Sequence, residues 1–417
     1  MDAREQRGLV IAATTKLENA NGAWLVPSQS KNGCYTVKQA GEGYRCNCPD
    51  HEARGVKCKH IFAVEYTVSR ESVTEIGTNA KGETTVTKTE RLTVTEKVTY
   101  KQDWTAYNAA QTSEKRMFLP LLQDLCRSVD EPEQTMGRPR LPLGDMIFAA
   151  TYKVYAGVSG RRFASDLEDA QEKGFIAKAP HFNSVFNCLE AENITPILQS
   201  LIAQSALPLQ AVETDFAVDS SGFGTTRYIK WLDVKHHGQV SKHDWVKVHL
   251  ICGVKTNIVA AADVSDRNAN DTLFLQPLVN ATAANFSIAE VSADKAYSSV
   301  KNHAAIEKAG GTAYIAFKSN ASGKSNRAKY QEGAATWTRM YHYFSFNQPD
   351  FLAHYHKRSN VESTFAMIKG KFGDGLKSKS TTAQVNEALL KVLCHNICVV
   401  IQSIYELGIE PVFAQAT

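Results

Sequence analysis

At Val212 the spacing of apolar residues changes from a helical period to a period of two, and that change narrows the architectures open to the chain. Before it, residues 141–207 carry helix-period patterns with short breaks. Leu143, Met146, Ile147, Ala150 and Val154 form one apolar stripe, and Leu189, Ile194, Ile197, Leu198 and Leu201 contribute to others. After it, residues 216–218, 228–234, 245–252 and 258–263 read as strands. A helix near 272–284, a strand at 289–293, a helix at 299–309 and a strand at 312–317 follow. Hairpin-forming strands followed by alternating helix and strand predict an α/β domain, a mixed sheet flanked by helices. A long helix near 350–372 and another from 383 to about 406 close the chain. The last contains Lys391, His395, Asn396 and Gln402, so it reads as a core-packing helix and not a membrane span.

Composition excludes several classes. A length of 417 residues suggests two to four domains. With 43% hydrophobic and 22% charged residues the chain can bury real cores, so disorder throughout is ruled out. No stretch offers about 18 consecutive apolar residues, and residues 1–22 lack the apolar core of a signal peptide. A cytoplasmic protein is the expectation. Nine cysteines are too few, and odd in number, for a disulfide-built scaffold. The balance of 47 basic and 43 acidic residues gives only +4, so local patches must decide whether nucleic acid is a partner.

Four of the nine cysteines fall by residue 58, within a loop-rich β unit of residues 1–65 whose short strands lie at 24–26 and 35–37. Cys46-x-Cys48, nine residues, then Cys58-x-His60 offers three thiolates and one imidazole, the soft tetrahedral set that Zn²⁺ takes. Four protein ligands make such a metal structural. His51 lies in the intervening loop and reads as solvated, Cys34 falls outside the pattern, and Cys394, His395 and Cys398 read as packing residues of the last helix. The segment at about 24–63 resembles a SWIM zinc finger, including the apolar Ile61-Phe62-Ala63 after the histidine, and such fingers are associated with DNA or protein binding.

Residues 66–136 form a Thr/Val/Lys/Glu-rich linker followed by a helix at 104–129; within it, 84–100 reads either as an exposed hairpin or as a solvated linker. Gly137-Arg138-Pro139-Arg140 resembles an AT-hook core, whose arginines enter a minor groove, or is a linker that positions the next helices. Residues 137–210, with Arg161-Arg162 at a junction, suit either a helical DNA-binding domain or an ordinary helical subdomain.

The chemistry concentrates in Tyr355-x2-Arg358-x3-Glu362-x6-Lys369. On one continuous helix these four side chains project within an arc of about 60°, beside an apolar stripe of Val361, Phe365, Ile368 and Phe372. Upstream, Asp219 follows Phe216-Ala217-Val218 and precedes Ser220-Ser221-Gly222, while Asp294 follows 288–293 and precedes Lys295-Ala296-Tyr297. Both read as carboxylates closing apolar strands beside small-residue turns. Three carboxylates converging at a sheet edge are costly unless divalent cations neutralise them. Mg²⁺ accepts oxygen ligands and keeps waters, so a few carboxylates suffice.

These residues and spacings resemble the DDE transposases of bacterial and archaeal insertion sequences over about residues 137–405. The resemblance implies an RNase H-like catalytic domain at 211–410, with Asp219, Asp294 and Glu362 as a catalytic triad that binds Mg²⁺ or Mn²⁺. It implies that Tyr355, Arg358 and Lys369 contact DNA near the scissile phosphate, and that 319–343 is an insertion, polar in composition. Lys295 and Lys318 read as ordinary surface lysines. Expected partners are double-stranded DNA, at element ends and target, and a second copy of the chain. A metal-dependent nuclease without strand transfer, or a DNA-binding regulator with a vestigial catalytic domain, are the rival readings.

Overall fold

The computed structural model describes residues 3–15, 17–20, 22–29, 33–41, 43–68, 72–78, 84–90, 103–137, 139–225, 244–323 and 332–413. The chain divides into two compact units, residues 1–101 and 102–417.

In the first unit, α1 (Ala3–Thr14) precedes four strands, β1 (Glu18–Ala20), β2 (Ala23–Pro27), β3 (Cys34–Ala40) and β4 (Gly43–Cys46). They form an antiparallel meander, and β2 and β3 contain the two strand runs expected from sequence. Helices α2 (Pro49–Arg54) and α3 (Lys59–Val68) follow. The core is small: Ile11, Leu17, Val26, Val37, Ile61 and Val64 bury themselves with Cys46, Cys48 and Cys58. Helices α1 and α3 cross so closely that a Cβ at Gly8 would lie 2.4 Å from Phe62 Cβ and 2.7 Å from the Lys59 carbonyl. Only glycine fits there. Beyond α3, β5 (Ser72–Thr78) and β6 (Thr84–Glu90) pair antiparallel. Thr84–Glu90 is thus a strand, but its partner, Ser72–Thr78, lies upstream of the stretch read at 84–100; residues 91–100 lie outside the described residues.

The second unit opens with α4 (Trp104–Cys126), whose N-terminus is capped by Asp103 Oδ1 accepting from Thr105 N (3.0 Å) and Ala106 N (3.1 Å). Next come α5 (Leu143–Ala156), α6 (Ala164–Glu172), α7 (Phe182–Glu190) and α8 (Ile194–Ala206). The sequence suggested a separate helical domain at 137–210. Instead these helices and α4 share one continuous hydrophobic core with the sheet that follows. The reason is the final helix, α14 (Thr381–Leu407), which is buried on nearly every side. It is long and apolar enough to cross a membrane by length and composition, yet 78% of its apolar window is buried inside the protein. Its polar residues stitch layers together. Asn396 accepts from Val259 N (2.9 Å) and donates to Val259 O (2.8 Å) and Ser205 Oγ (2.9 Å), while Lys391 caps the carbonyls of Gly373 and Gly375 at 2.9 and 2.8 Å.

The sheet comprises β7 (Asp215–Gly224), β8 (Trp245–Gly253), β9 (Val259–Asp266), β10 (Glu290–Ala293) and β11 (Thr312–Ile315), in the order β11-β10-β7-β8-β9. The first three neighbours run parallel, and β8 and β9 are antiparallel, so the sheet is mixed as expected. Helices α9 (Leu275–Ala283) and α10 (Val300–Lys308) supply the crossovers that parallel strands require. Side chains alternate across β7: Phe216 and Ser220 meet Phe286 and Asp271 on one face, while Asp215, Asp219 and Ser221 face Lys357, Arg358 and Lys369 on the other. The strand read at 228–234 lies outside the described residues.

Helix α11 (Ala334–Phe346) occupies the later part of the segment read above as an insertion and runs slightly beyond it. Trp337 and Met340 pack with Tyr314, Phe317 and Phe351, the last from α12 (Gln348–Tyr355), into a small aromatic core. Helix α13 (Ser359–Phe372) completes the fold.

Candidate active site and metal centre

Two sequence expectations about the carboxylates need correction. Asp219 does not close a strand; it sits inside β7, paired across to Leu250, and Ser220, Ser221 and Gly222 continue the strand opposite His249, Val248 and Lys247. The small residues accommodate a neighbour, since a Cβ at Gly222 would lie 2.8 Å from the Trp245 ring. Nor do Tyr355, Arg358, Glu362 and Lys369 share one helix. A 3-10 turn, His356–Arg358, separates α12 from α13. It tightens the chain where adjacent cations, Lys357 and Arg358, reach for carboxylates at different heights on the sheet.

Asp294 does close its strand. Its Oδ1 accepts from Lys295 N (2.7 Å), capping the turn Lys295–Tyr297. Parallel pairing of Ala293 with Val218 then places Asp294 and Asp219 at equivalent points on adjacent strands. Glu362 reaches the same region through Arg358, whose Nη2 lies 2.9 Å from Glu362 Oε1 and whose Nη1 lies 3.5 Å from Asp219 Oδ2. Burial raises the Asp219 carboxyl above its ordinary range. A hydrogen bond from Ser220 N and the charge of Arg358 oppose the rise, while the charges of Asp294 and Glu362 add to it. The structure thus brings the three carboxylates into one electrostatic neighbourhood, with a single guanidinium between two of them. Carboxylate oxygens are the hard donors that a divalent cation takes, although among the described residues the one group already gathered at metal-ligand spacing is the Cys/His set of the first unit.

Tyr355 belongs to the same neighbourhood: Arg358 lies 5.9 Å from its ring centroid, and burial raises its hydroxyl pKa. Lys369 is engaged by the protein. Its Nζ donates to Ser221 Oγ (2.6 Å) and lies 5.1 Å from the Phe223 ring centroid, and burial lowers its pKa. Lys295 and Lys318 are exposed. Arg140 is exposed too, its backbone N donating to Gln134 Oε1 (3.0 Å), and Arg138 lies outside the described residues.

Sequence reasoning overlooked three residues here. Asp215 and Glu290 pair across β7 and β10, each four residues before Asp219 and Asp294, and Lys357 Nζ lies 2.7 Å from both. The signal was present: an acid, three residues, then aspartate occurs on both strands, and a four-residue spacing keeps side chains on one strand face. On the opposite face of β7, Asp271 Oδ1 accepts from Ser220 Oγ and Lys247 Nζ, both at 3.0 Å.

The raised Asp219 pKa carries a sign. A carboxyl whose folded pKa exceeds its unfolded value weakens the fold as pH rises through that interval, and the cost persists above it. Asp219→Asn should therefore raise the melting temperature of the metal-free protein at pH 7. The gain should vanish near pH 3.5. Calorimetry at both values checks this; an equal gain at both would remove ionisation as its cause.

In the first unit, Cys46, Cys48, Cys58 and His60 are all buried, with their ligand atoms within 4.8 Å of one another. His60 Nδ1 lies 3.7 Å from Cys46 Sγ and 3.8 Å from Cys58 Sγ. Ligands at Zn–S 2.3 Å and Zn–N about 2.0 Å in a tetrahedron stand roughly 3.6 Å apart, so the set fits Zn²⁺. Turns place the donors: Cys48 occupies the N-cap position of α2, and His60 is the second residue of α3, which begins directly after Cys58. Hydrogen bonds from Cys46 and His60 draw the Cys58 thiol down to about 3, and its hydrogen bond with Cys58 pushes Cys46 up. His51 takes no part, its Nδ1 lying 2.8 Å from Val56 O. Cys394 and His395 are buried within α14, as expected.

Comparison with known proteins bears on the second unit. Residues 210–397, from just before β7 to the middle of α14, match the family model described as a transposase DDE domain. The match supports a DDE transposase, a class of enzyme that cleaves and transfers DNA strands. The chain also aligns with a solved structure, the cryo-EM piggyBac transposase synaptic complex with hairpin DNA, at 10% identity over 72% of this chain and 76% of that one, with a TM-score of 0.34.

Proposed function

We propose that the chain is a DNA transposase of the insertion-sequence type, acting in the prokaryotic cytoplasm as a homodimer on DNA. It would hydrolyse phosphodiester bonds at element ends and join the freed 3′-hydroxyl to target DNA. The supporting observation is that Arg358 bridges Asp219 and Glu362, with Asp294 following the strand residue paired beside Val218, all within the matched segment. The mixed sheet with helices on both faces, and Asp219 on its central strand, supports reading the domain as RNase H-like.

In this reading Asp219, Asp294 and Glu362 would hold divalent cations, Mg²⁺ or Mn²⁺, and the chemistry such ions would supply is activation of a water or 3′-hydroxyl and stabilisation of the leaving oxygen. Arg358, now paired with Asp219 and Glu362, is the cation closest to hand for a phosphate entering between them. Tyr355, Lys369, Arg138 and Arg140 are the further DNA-contact candidates. Lys369 would first have to leave Ser221. The Cys/His cluster holds a structural Zn²⁺ in a SWIM-type finger that serves recognition.

The test uses the full chain, Mg²⁺, a supercoiled plasmid and a linear fragment carrying the DNA that flanks the coding region. Cleavage at the flanks and covalent joining of their 3′ ends to the plasmid are expected. Nicked products without joining would indicate a nuclease, and binding without cleavage a regulator.

A further inference from the structure

Asp215 and Glu290 are register partners at the starts of two parallel strands, and both are partly buried, with side-chain exposures of 21% and 19%. Side by side and uncompensated they would repel and lose hydration. Lys357 answers both, its Nζ 2.7 Å from Asp215 Oδ2 and 2.7 Å from Glu290 Oε2. His354 lies alongside, its Nδ1 2.8 Å from Glu290 Oε1 but without hydrogen-bond geometry, and its ring stacked on Tyr314 at 4.4 Å.

The next residue, Arg358, reaches Asp219, four residues further along β7. At about 3.3 Å per residue those two rungs stand roughly 13 Å apart. Adjacent side chains span that distance only if the turn lies between the rungs, one pointing each way. Of the two attachments, that of Lys357 is the firmer. Arg358 meets Asp219 at 3.5 Å, too long for a good hydrogen bond, and its other partner, Glu362, is 58% exposed.

We propose that Lys357 is a positioning residue: by tying the His356–Arg358 turn to the first residues of β7 and β10, it sets where Arg358 and Glu362 stand against Asp219. It touches no reacting atom; it acts through the turn. The claim that this placement matters for metal binding rests on the function proposed above.

The experiment compares the full-length wild type with Lys357→Met, Lys357→Arg, Glu290→Gln and Glu362→Gln. Mn²⁺ binding is followed by electron paramagnetic resonance, and amide hydrogen exchange over residues 356–362 by mass spectrometry. Lys357→Met should weaken Mn²⁺ binding by about tenfold or more, as loss of a group supporting metal ligands does, and speed exchange across the turn. Lys357→Arg should recover part of both. Glu362→Gln should weaken Mn²⁺ binding without speeding exchange at 356–358. Wild-type affinity and exchange in Lys357→Met would overturn the proposal. Should that variant fail to fold, Glu290→Gln, which keeps the lysine and halves its clamp, decides in the same two readouts. If wild type and Glu362→Gln bind Mn²⁺ alike, the catalytic reading fails, and exchange alone then judges the clamp: faster in Lys357→Met supports it, unchanged refutes it.

Discussion

Replacing Glu362 by glutamine is expected to abolish DNA cleavage, by at least about a thousandfold, while leaving folding and DNA binding intact. Glu362 is the most exposed residue of the site and has one described partner, Arg358 at 2.9 Å. Glutamine keeps the shape, and its carbonyl oxygen still accepts from the guanidinium, so little packing energy is at stake. What it loses is a charge that a divalent cation requires. Cleavage of end-bearing DNA in Mg²⁺, followed on denaturing gels beside a circular dichroism melt, measures both sides. A variant that cuts at the wild-type rate would remove Glu362 from the reaction.

Removing zinc should have a comparably large effect on the first unit. Three of its ten core residues are the ligand cysteines themselves, so the metal site and the hydrophobic core are one object. Structural Zn²⁺ contributes roughly 10–16 kcal/mol in small domains, far more than so small a core supplies. Chelation should unfold the region around residues 3–68 and release one zinc per chain, while the second unit keeps its own melting transition. Metal analysis of freshly purified, reduced protein, paired with hydrogen exchange before and after chelation, checks this. Absence of zinc, or protection in 3–68 that survives chelation, would count against it.

Much of the architecture was legible from the sequence because the period switch at Val212 is physical: strands and helices repeat differently. The site was legible less evenly. Ser220-Ser221-Gly222 reads as a turn by composition, but pairing with β8 and the close approach of Trp245 override that preference. Tyr355 to Lys369 reads as one helix because periodicity carries no information about a local 3-10 turn. At the break Lys357 pairs with strands more than sixty residues upstream, with Glu290 and Asp215, partners that no local pattern can show. Lys357 itself was invisible as part of the site because its partners become neighbours only through the parallel register of β7 and β10. The Cys/His cluster, by contrast, was legible: its four side chains are near in sequence, and only short turns are needed to gather them.

The central claim is that Asp219, Asp294 and Glu362 form one divalent-cation site. Anomalous diffraction from crystals of the wild-type chain soaked in Mn²⁺ addresses it most directly. The account predicts manganese peaks bounded by these three carboxylates, a pair about 3.5–4 Å apart when DNA is bound, with the Arg358 guanidinium displaced from between Asp219 and Glu362. Crystals showing no manganese there, with Arg358 still bridging the two carboxylates at saturating Mn²⁺, would contradict it.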